Sequence, residues 1–200
     1  MFHLLRRQLV RTHRKPLVVA GPKTLLRSPD AVSTLAEMAP GTHFRPVLDD
    51  PLADAAQVRR LLFVSGKHYY ACALVLCFLL FVDKKEDGPR LTGTPSIRLA
   101  ERRRALGRND VAVVRLEELV PFPTLALQQL AAKYPKATEA VWCQEEPRNG
   151  GAWSFVEPRF RNLVGLSLRY AGRPALAAPA VGVSAVHKVE VARLMDDTFA

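Results

Sequence analysis

The sequence predicts an α/β fold with a parallel or mostly parallel sheet covered on both faces. Three observations carry this. From Arg59 onward, short apolar runs alternate with amphipathic segments. Those runs are almost continuously hydrophobic, as strands buried on both faces are. At 200 residues and 48% hydrophobic content, the chain can bury a sizeable core.

Taken in order, MFHLLRRQLVRTHRKP (1–16) places Phe2, Leu5 and Leu9 at helical spacing beside Arg6, Arg7, Arg11, Arg14 and Lys15, with no acid. The residues alone fit both a cleavable mitochondrial leader and an internal helix. Pro16–Ala20 (PLVVA) reads as a buried strand closed by the Gly21-Pro22 turn. Ser28 and Asp30 are candidate caps for a short helix through Met38. Residues 38–51 are broken by Pro and Gly and form a boundary zone, with FRPVL at most a short strand. Strands are then predicted at 59–66, 111–117, 139–146 and 166–173. Helices are predicted at 124–134, at 151–163 with Pro158 bending or interrupting it, and at 185–194 after a Ser184 cap.

Composition narrows the function classes. Lys and Arg outnumber Asp and Glu 29 to 19, but the excess is local, in the opening helix and in Arg98–Arg108. No zinc finger, RRM signature or interleaved basic and aromatic pattern accompanies it, so a nucleic-acid partner is disfavoured. The greasiest run, residues 71–82, is well short of the roughly 20 residues that span a bilayer, and no membrane partner is expected. Cys72, Cys77 and Cys143 form no CxxC pair and read as reduced thiols.

Motifs for self-contained chemistry are missing. SGK at 65–67 lacks the upstream Gly of a phosphate loop and has His68 where Ser or Thr must hold magnesium, so a turn glycine explains it. The histidines are spread singly, and no serine sits in a nucleophile elbow. The most informative stretch is VWCQEEPRNGGAWSF (141–155). It sets Gln144, Glu145 and Glu146 at the carboxyl end of a strand, where open α/β sheets carry functional groups, with Asn149 in the loop beyond. Adjacent carboxylates do acid/base work only where one pKa is raised. Neighbours along a strand point to opposite faces, so a polar strand end that docks another domain is favoured.

Several segments, in order, resemble a known family: FHLLRRQ (2–8), RKPLVVAGPKTLLR (14–27), EMAPGTHF (37–44), SGKHYY (65–70), VRLEELVPFP (114–123), WCQEEPRNGGAWSFVEPRF (142–160) and YAGRPALAAPAVG (170–182). Together they resemble the carboxyl-terminal part of thiamine diphosphate-dependent 2-oxo acid dehydrogenases of the 2-oxoglutarate type, most of all the branch that handles 2-oxoadipate.

The resemblance implies a three-layer, transketolase C-terminal-like domain at 51–200. Before it, at 1–50, would come a severed helix-strand piece of the pyrimidine-binding domain and a linker, which makes the opening helix internal. It implies the decarboxylating component of a mitochondrial matrix complex, using thiamine diphosphate and magnesium and passing an acyl group to lipoyl. The implied partners are the upstream catalytic domains, a homodimer partner and a lipoyl-bearing acyltransferase component. The family's Gly-Asp-Gly signature is absent, so no catalytic, cofactor or metal residue is assigned and this chain alone is expected to bind no cofactor. Gln144, Glu145, Glu146 and Asn149 match the family's QEE loop and are the candidate docking residues, and Lys23 and Arg27 are candidate anion contacts for an acyl-CoA effector. Relatives run directly from the strand and helix at SGKHYY to LAERRRALG (99–107), so Cys72–Arg98 is a non-family insertion. Two alternatives of other classes are a stand-alone, non-catalytic interaction module and a basic nucleic-acid-binding domain.

Overall fold

The computed structural model describes residues 1–13, 15–28, 31–70 and 108–199. The chain divides into two compact units, Met1–Arg45 and Pro46–Ala200. The proposed insertion Cys72–Arg98 lies outside the described residues, as does Asp30.

In the first unit, helix α1 (Phe2–Val10) forms as the spacing predicts. Its polar groups hold the segment 37–44. His3 Nε2 is bonded to the Glu37 carbonyl at 2.7 Å, Arg6 donates to the Thr42 carbonyl, and Arg7 lies over the Phe44 ring at 4.4 Å. Two expectations fail. Pro16–Ala20 pairs with no described strand and leaves Val18 88% exposed, because an extended apolar run is buried only when a neighbouring ladder accepts it. The helix expected from Ser28 reduces to one turn at Ala36–Met38. Its start is set by Thr34 and Glu37, which bond each other's backbone and side chain, and Pro40-Gly41 follows at once. With Val32 and Leu35 exposed, no apolar face supports a longer helix. The bond to the Thr34 backbone holds the Glu37 carboxyl below its ordinary range.

The second unit is a five-stranded sheet in the order β1-β3-β2-β4-β5. The strands are β1 (Val47–Leu48), β2 (Arg60–Ser65), β3 (Val111–Leu116), β4 (Glu139–Pro147) and β5 (Leu168–Arg173). β1 is antiparallel to β3, and the other pairs are parallel. Leu62 stands opposite Val113 on one side and Val141 on the other.

Alternation along the strands separates two apolar faces. On one face, Leu62, Val64, Val111, Val113, Val141, Cys143 and Ala171 pack with Leu194 and Phe199 of α4 (Ser184–Phe199). On the other, Leu61, Phe63, Ala112, Val114, Leu116 and Trp142 pack against α2 (Thr124–Lys133) and α3 (Trp153–Arg159). Helices therefore cover both faces of a mostly parallel sheet, the three-layer α/β arrangement expected of the sequence.

One helix keeps the expected extent and one departs from it. The helix predicted at 151–163 runs past Pro158, where the sequence places a bend or interruption. It continues into a single π turn, Phe160–Val164, closed by Gly165 at φ +81°. Burial of Phe160 against Phe63 and Phe122 favours continuing past the missing proline N–H. The final helix runs five residues beyond the expected Leu194. Asp196 and Asp197 near a helix C-terminus oppose the helix dipole and look like an ending. Three guanidiniums reverse that. Arg169, Arg60 and Arg108 donate to the carbonyls of Asp197, Thr198 and Phe199, capping the helix from the amino-terminal ends of the strands.

Glu139 binds this arginine cluster, with Arg60 Nε and Arg169 Nε each 2.5 Å from its carboxylate. Partial burial pushes its carboxyl up, but the bonds from Arg169 and Arg60 outweigh that and hold it below 4.5. A depressed carboxyl stabilises the fold above its unfolded value and loses that contribution as pH falls through the folded one. Glu139→Gln is therefore expected to cost about 1 kcal/mol at neutral pH. The difference from wild type should vanish on acidification below the ordinary carboxylate range, as urea titrations across pH would show.

Candidate functional site

The parallel strands of the second unit point their carboxyl ends to one edge. After β2 the chain turns at Gly66 (φ +58°) and Tyr69 packs on the α4 face, whereas after β4 it crosses to α3 on the opposite face. Adjacent strands whose connections leave to opposite sides open a crevice between them, the place where open α/β sheets bind ligands and partners. Here that crevice is a cleft of about 520 Å³. Ser65–His68 line one wall and Gln144–Glu146 the other, with Leu119, Val120 and Phe155 adding apolar surface.

Gln144 shapes the cleft from inside. It is 3% exposed, so its carboxamide must be satisfied by protein groups. Oε1 accepts from Trp142 Nε1 at 2.9 Å and from the Trp153 backbone N–H at 3.0 Å. Nε2 donates toward the carbonyls of Glu146, Pro147 and Gly150 at 3.0–3.2 Å. Trp142 Nε1 and the Trp153 backbone nitrogen can only donate, so the orientation of the amide is fixed. The loop fits so closely that a Cβ on Gly151, itself at φ +59°, would lie 2.9 Å from Gln144 Nε2.

Around this hub the loop is clamped to β5. Asn149 grips Leu176 at both ends of its amide, donating to the carbonyl at 2.9 Å and accepting from the N–H at 3.0 Å. Tyr170 donates to the Arg173 carbonyl at 2.7 Å, and burial pushes its hydroxyl up to about 12. Arg173, 5% exposed, donates to the Glu145 carbonyl at 3.0 Å and to His187 Nδ1 at 2.8 Å, while Glu190 of α4 balances its charge at 2.8 Å. Because arginine only donates, His187 accepts with an unprotonated Nδ1.

The structure brings Gln144, Glu145 and Glu146 to the carboxyl end of β4 and Asn149 into the loop that follows, and distinguishes them. Gln144 is buried and fully occupied, so it acts on any partner only through the loop it shapes. Asn149 is exposed, yet both ends of its amide are engaged with Leu176. Glu145 and Glu146 carry the available charge. Lys23 and Arg27 belong to the other unit, both exposed on the 3₁₀ turn Lys23–Arg27. Arg173 escaped the sequence reading, because a lone arginine at a strand end gives no signal of burial. Among the described residues no three His, Cys, Asp or Glu side chains come together to hold a metal. No described helix is long and apolar enough to cross a membrane.

Gln144→Leu keeps the volume but strands two N–H donors and three carbonyls in the interior, and is expected to cost about 2–4 kcal/mol. Gly151→Ala forces a Cβ into the same amide at a left-handed φ and is expected to cost about 1–3 kcal/mol. Chemical denaturation of both variants checks these values, and an unchanged midpoint for either would contradict the packing described.

Comparison with known proteins agrees with this architecture. The family model for the 2-oxoglutarate dehydrogenase C-terminal region matches residues 32–74 and 91–199, and its break at 75–90 falls within the interval Cys72–Arg98. The chain is 46% identical over 202 residues to a probable 2-oxoadipate dehydrogenase complex component E1 homolog of Dictyostelium discoideum, covering 99% of this chain and 19% of that protein. It is 46% identical over 200 residues to 2-oxoadipate dehydrogenase complex component E1 of Mus musculus, again with 99% and 19% covered. A 2-oxoglutarate dehydrogenase E1 component of Cupriavidus necator is 43% identical over 203 residues, 100% of this chain and 18% of that protein. The chain thus spans about a fifth of the length of these relatives. With the family model matched over both halves of the sheet and relatives alike along the whole chain, this protein belongs to the 2-oxoglutarate dehydrogenase C-terminal family.

Proposed function

We propose that this chain serves as the docking and dimer-forming domain of an E1 component in a mitochondrial 2-oxo acid dehydrogenase complex, acting on 2-oxoadipate or 2-oxoglutarate. Thiamine diphosphate and magnesium are bound by upstream catalytic domains in this reading, and the acyl group passes from there to a lipoyl-bearing acyltransferase component. The observation that carries it is the Gln144-centred loop. A buried network holds its shape, while Glu145 and Glu146 make no ion pair among the described residues. Rigid backbone with available charge at a sheet's carboxyl edge suits recognition of another domain.

The test pairs this chain with the Dictyostelium relative truncated of its own matching region. Release of carbon dioxide from 2-oxoadipate is expected only when the two are mixed, and Glu146→Lys in this chain should weaken association several-fold. Activity in this chain alone, or no association, would contradict the proposal. We further propose that Cys72–Arg98 is not part of the domain, on the strength of the interrupted family match. Deleting it should raise soluble yield and thermal midpoint, and a lower midpoint would show that the fold uses it.

A further inference from the structure

We infer that Asn149 is a self-modifying site: when its clamp on Leu176 opens, its side-chain amide is lost as ammonia and the residue becomes aspartate or isoaspartate. Of the chain's three asparagines, Asn109, Asn149 and Asn162, it alone is followed by glycine. An asparagine carboxamide is attacked by the backbone nitrogen of the next residue, and a glycine there has no Cβ to hinder the approach. The fold does not call for that glycine. A Cβ on Gly150 would meet nothing nearer than the Pro147 carbonyl at 3.6 Å, an ordinary contact. Its φ also lies outside the left-handed region, unlike that of Gly151 beside it. What Gly150 changes is the chemistry of Asn149.

The reaction needs only the chain and water. The Gly150 nitrogen bonds to Asn149 Cγ, the Cγ–Nδ2 bond breaks, and Nδ2 leaves as ammonia with the proton that Gly150 gives up. Water then opens the cyclic imide at Cγ, giving aspartate, or at the backbone carbonyl carbon, giving isoaspartate. In the folded loop both reacting groups are occupied. The Gly150 N–H donates to the Pro147 carbonyl at 2.8 Å, and Leu176 holds the Asn149 carboxamide at both ends. Attack requires the nitrogen to leave Pro147 and the carboxamide to turn from Leu176, so the reaction runs through the opened loop. Asn149 is exposed, and water reaches it. The product cannot restore the clamp. With an oxygen in place of Nδ2, which stands 2.9 Å from the Leu176 carbonyl, two acceptors face each other where a hydrogen bond stood. The modification therefore makes an opening of the loop permanent and adds a negative charge beyond Glu145 and Glu146. The inference rests on the loop's own geometry and does not require the family role proposed above.

The test is peptide mapping by mass spectrometry of the whole chain, held at mildly alkaline pH in buffer and in concentrated urea. Aspartate and isoaspartate are expected at position 149 well ahead of any change at Asn109 or Asn162. The rate in urea should exceed that of the folded chain by about tenfold or more, since the ties to Pro147 and Leu176 must both open. Gly150→Ala should slow the reaction by about tenfold in urea, where the fold plays no part. Its melting midpoint should match or exceed that of the wild type, because the site has room for a Cβ. In Asn149→Asp, amide exchange at Leu176 should quicken by about tenfold while the strand amides of β4 keep their protection. Equal rates in buffer and in urea, equal rates of Gly150→Ala and wild type in urea, or unchanged exchange at Leu176 in Asn149→Asp would each overturn the inference.

Discussion

A carboxamide taken out of water must find partners for two acceptor lone pairs and two donor hydrogens, and the architecture of the cleft follows from how Gln144 meets that demand. Its oxygen fixes the indole of Trp142 within the sheet and the first turn of α3 beyond it. Its nitrogen gathers carbonyls from Glu146 to Gly150. One side chain thereby ties a strand, the loop that leaves it and the helix that follows. Glycine at 151 is the steric consequence. Asn149, Tyr170 and Arg173 extend the same order to β5 and α4, so half-buried Glu145 and exposed Glu146 are carried on a frame that cannot easily relax.

The opposite edge of the sheet is held by charge. Arg60, Arg108 and Arg169 reach the last carbonyls of α4, and Glu139 sits between two of them. Three of the chain's 29 Lys and Arg residues are thus engaged in closing a helix onto its sheet. The division of labour is clear: apolar faces hold the layers together, guanidiniums fix one edge, and an amide network shapes the opposite edge.

How much of this the sequence discloses depends on whether the cause is local. The strands beginning at Arg60, Val111, Glu139 and Leu168 are legible because two-sided burial demands unbroken apolar runs. Gly66 is legible as a turn residue. One error arises where a distant contact decides: the extension of α4 depends on arginines from remote segments. Pro16–Ala20 has strand chemistry but no described strand beside it. Within the site, the QEE stretch is conspicuous, yet its charge pattern hides that Gln144 faces inward while the two acids remain available.

Amide hydrogen exchange tests most directly the claim that Gln144 rigidifies the cleft. Exchange at the Trp142 indole N–H and the Trp153 backbone N–H should require the global unfolding free energy, like that of the strand amides of β4. If these two protons exchange at the rate of an exposed loop while β4 stays protected, the carboxamide does not organise this site and the account of it is wrong.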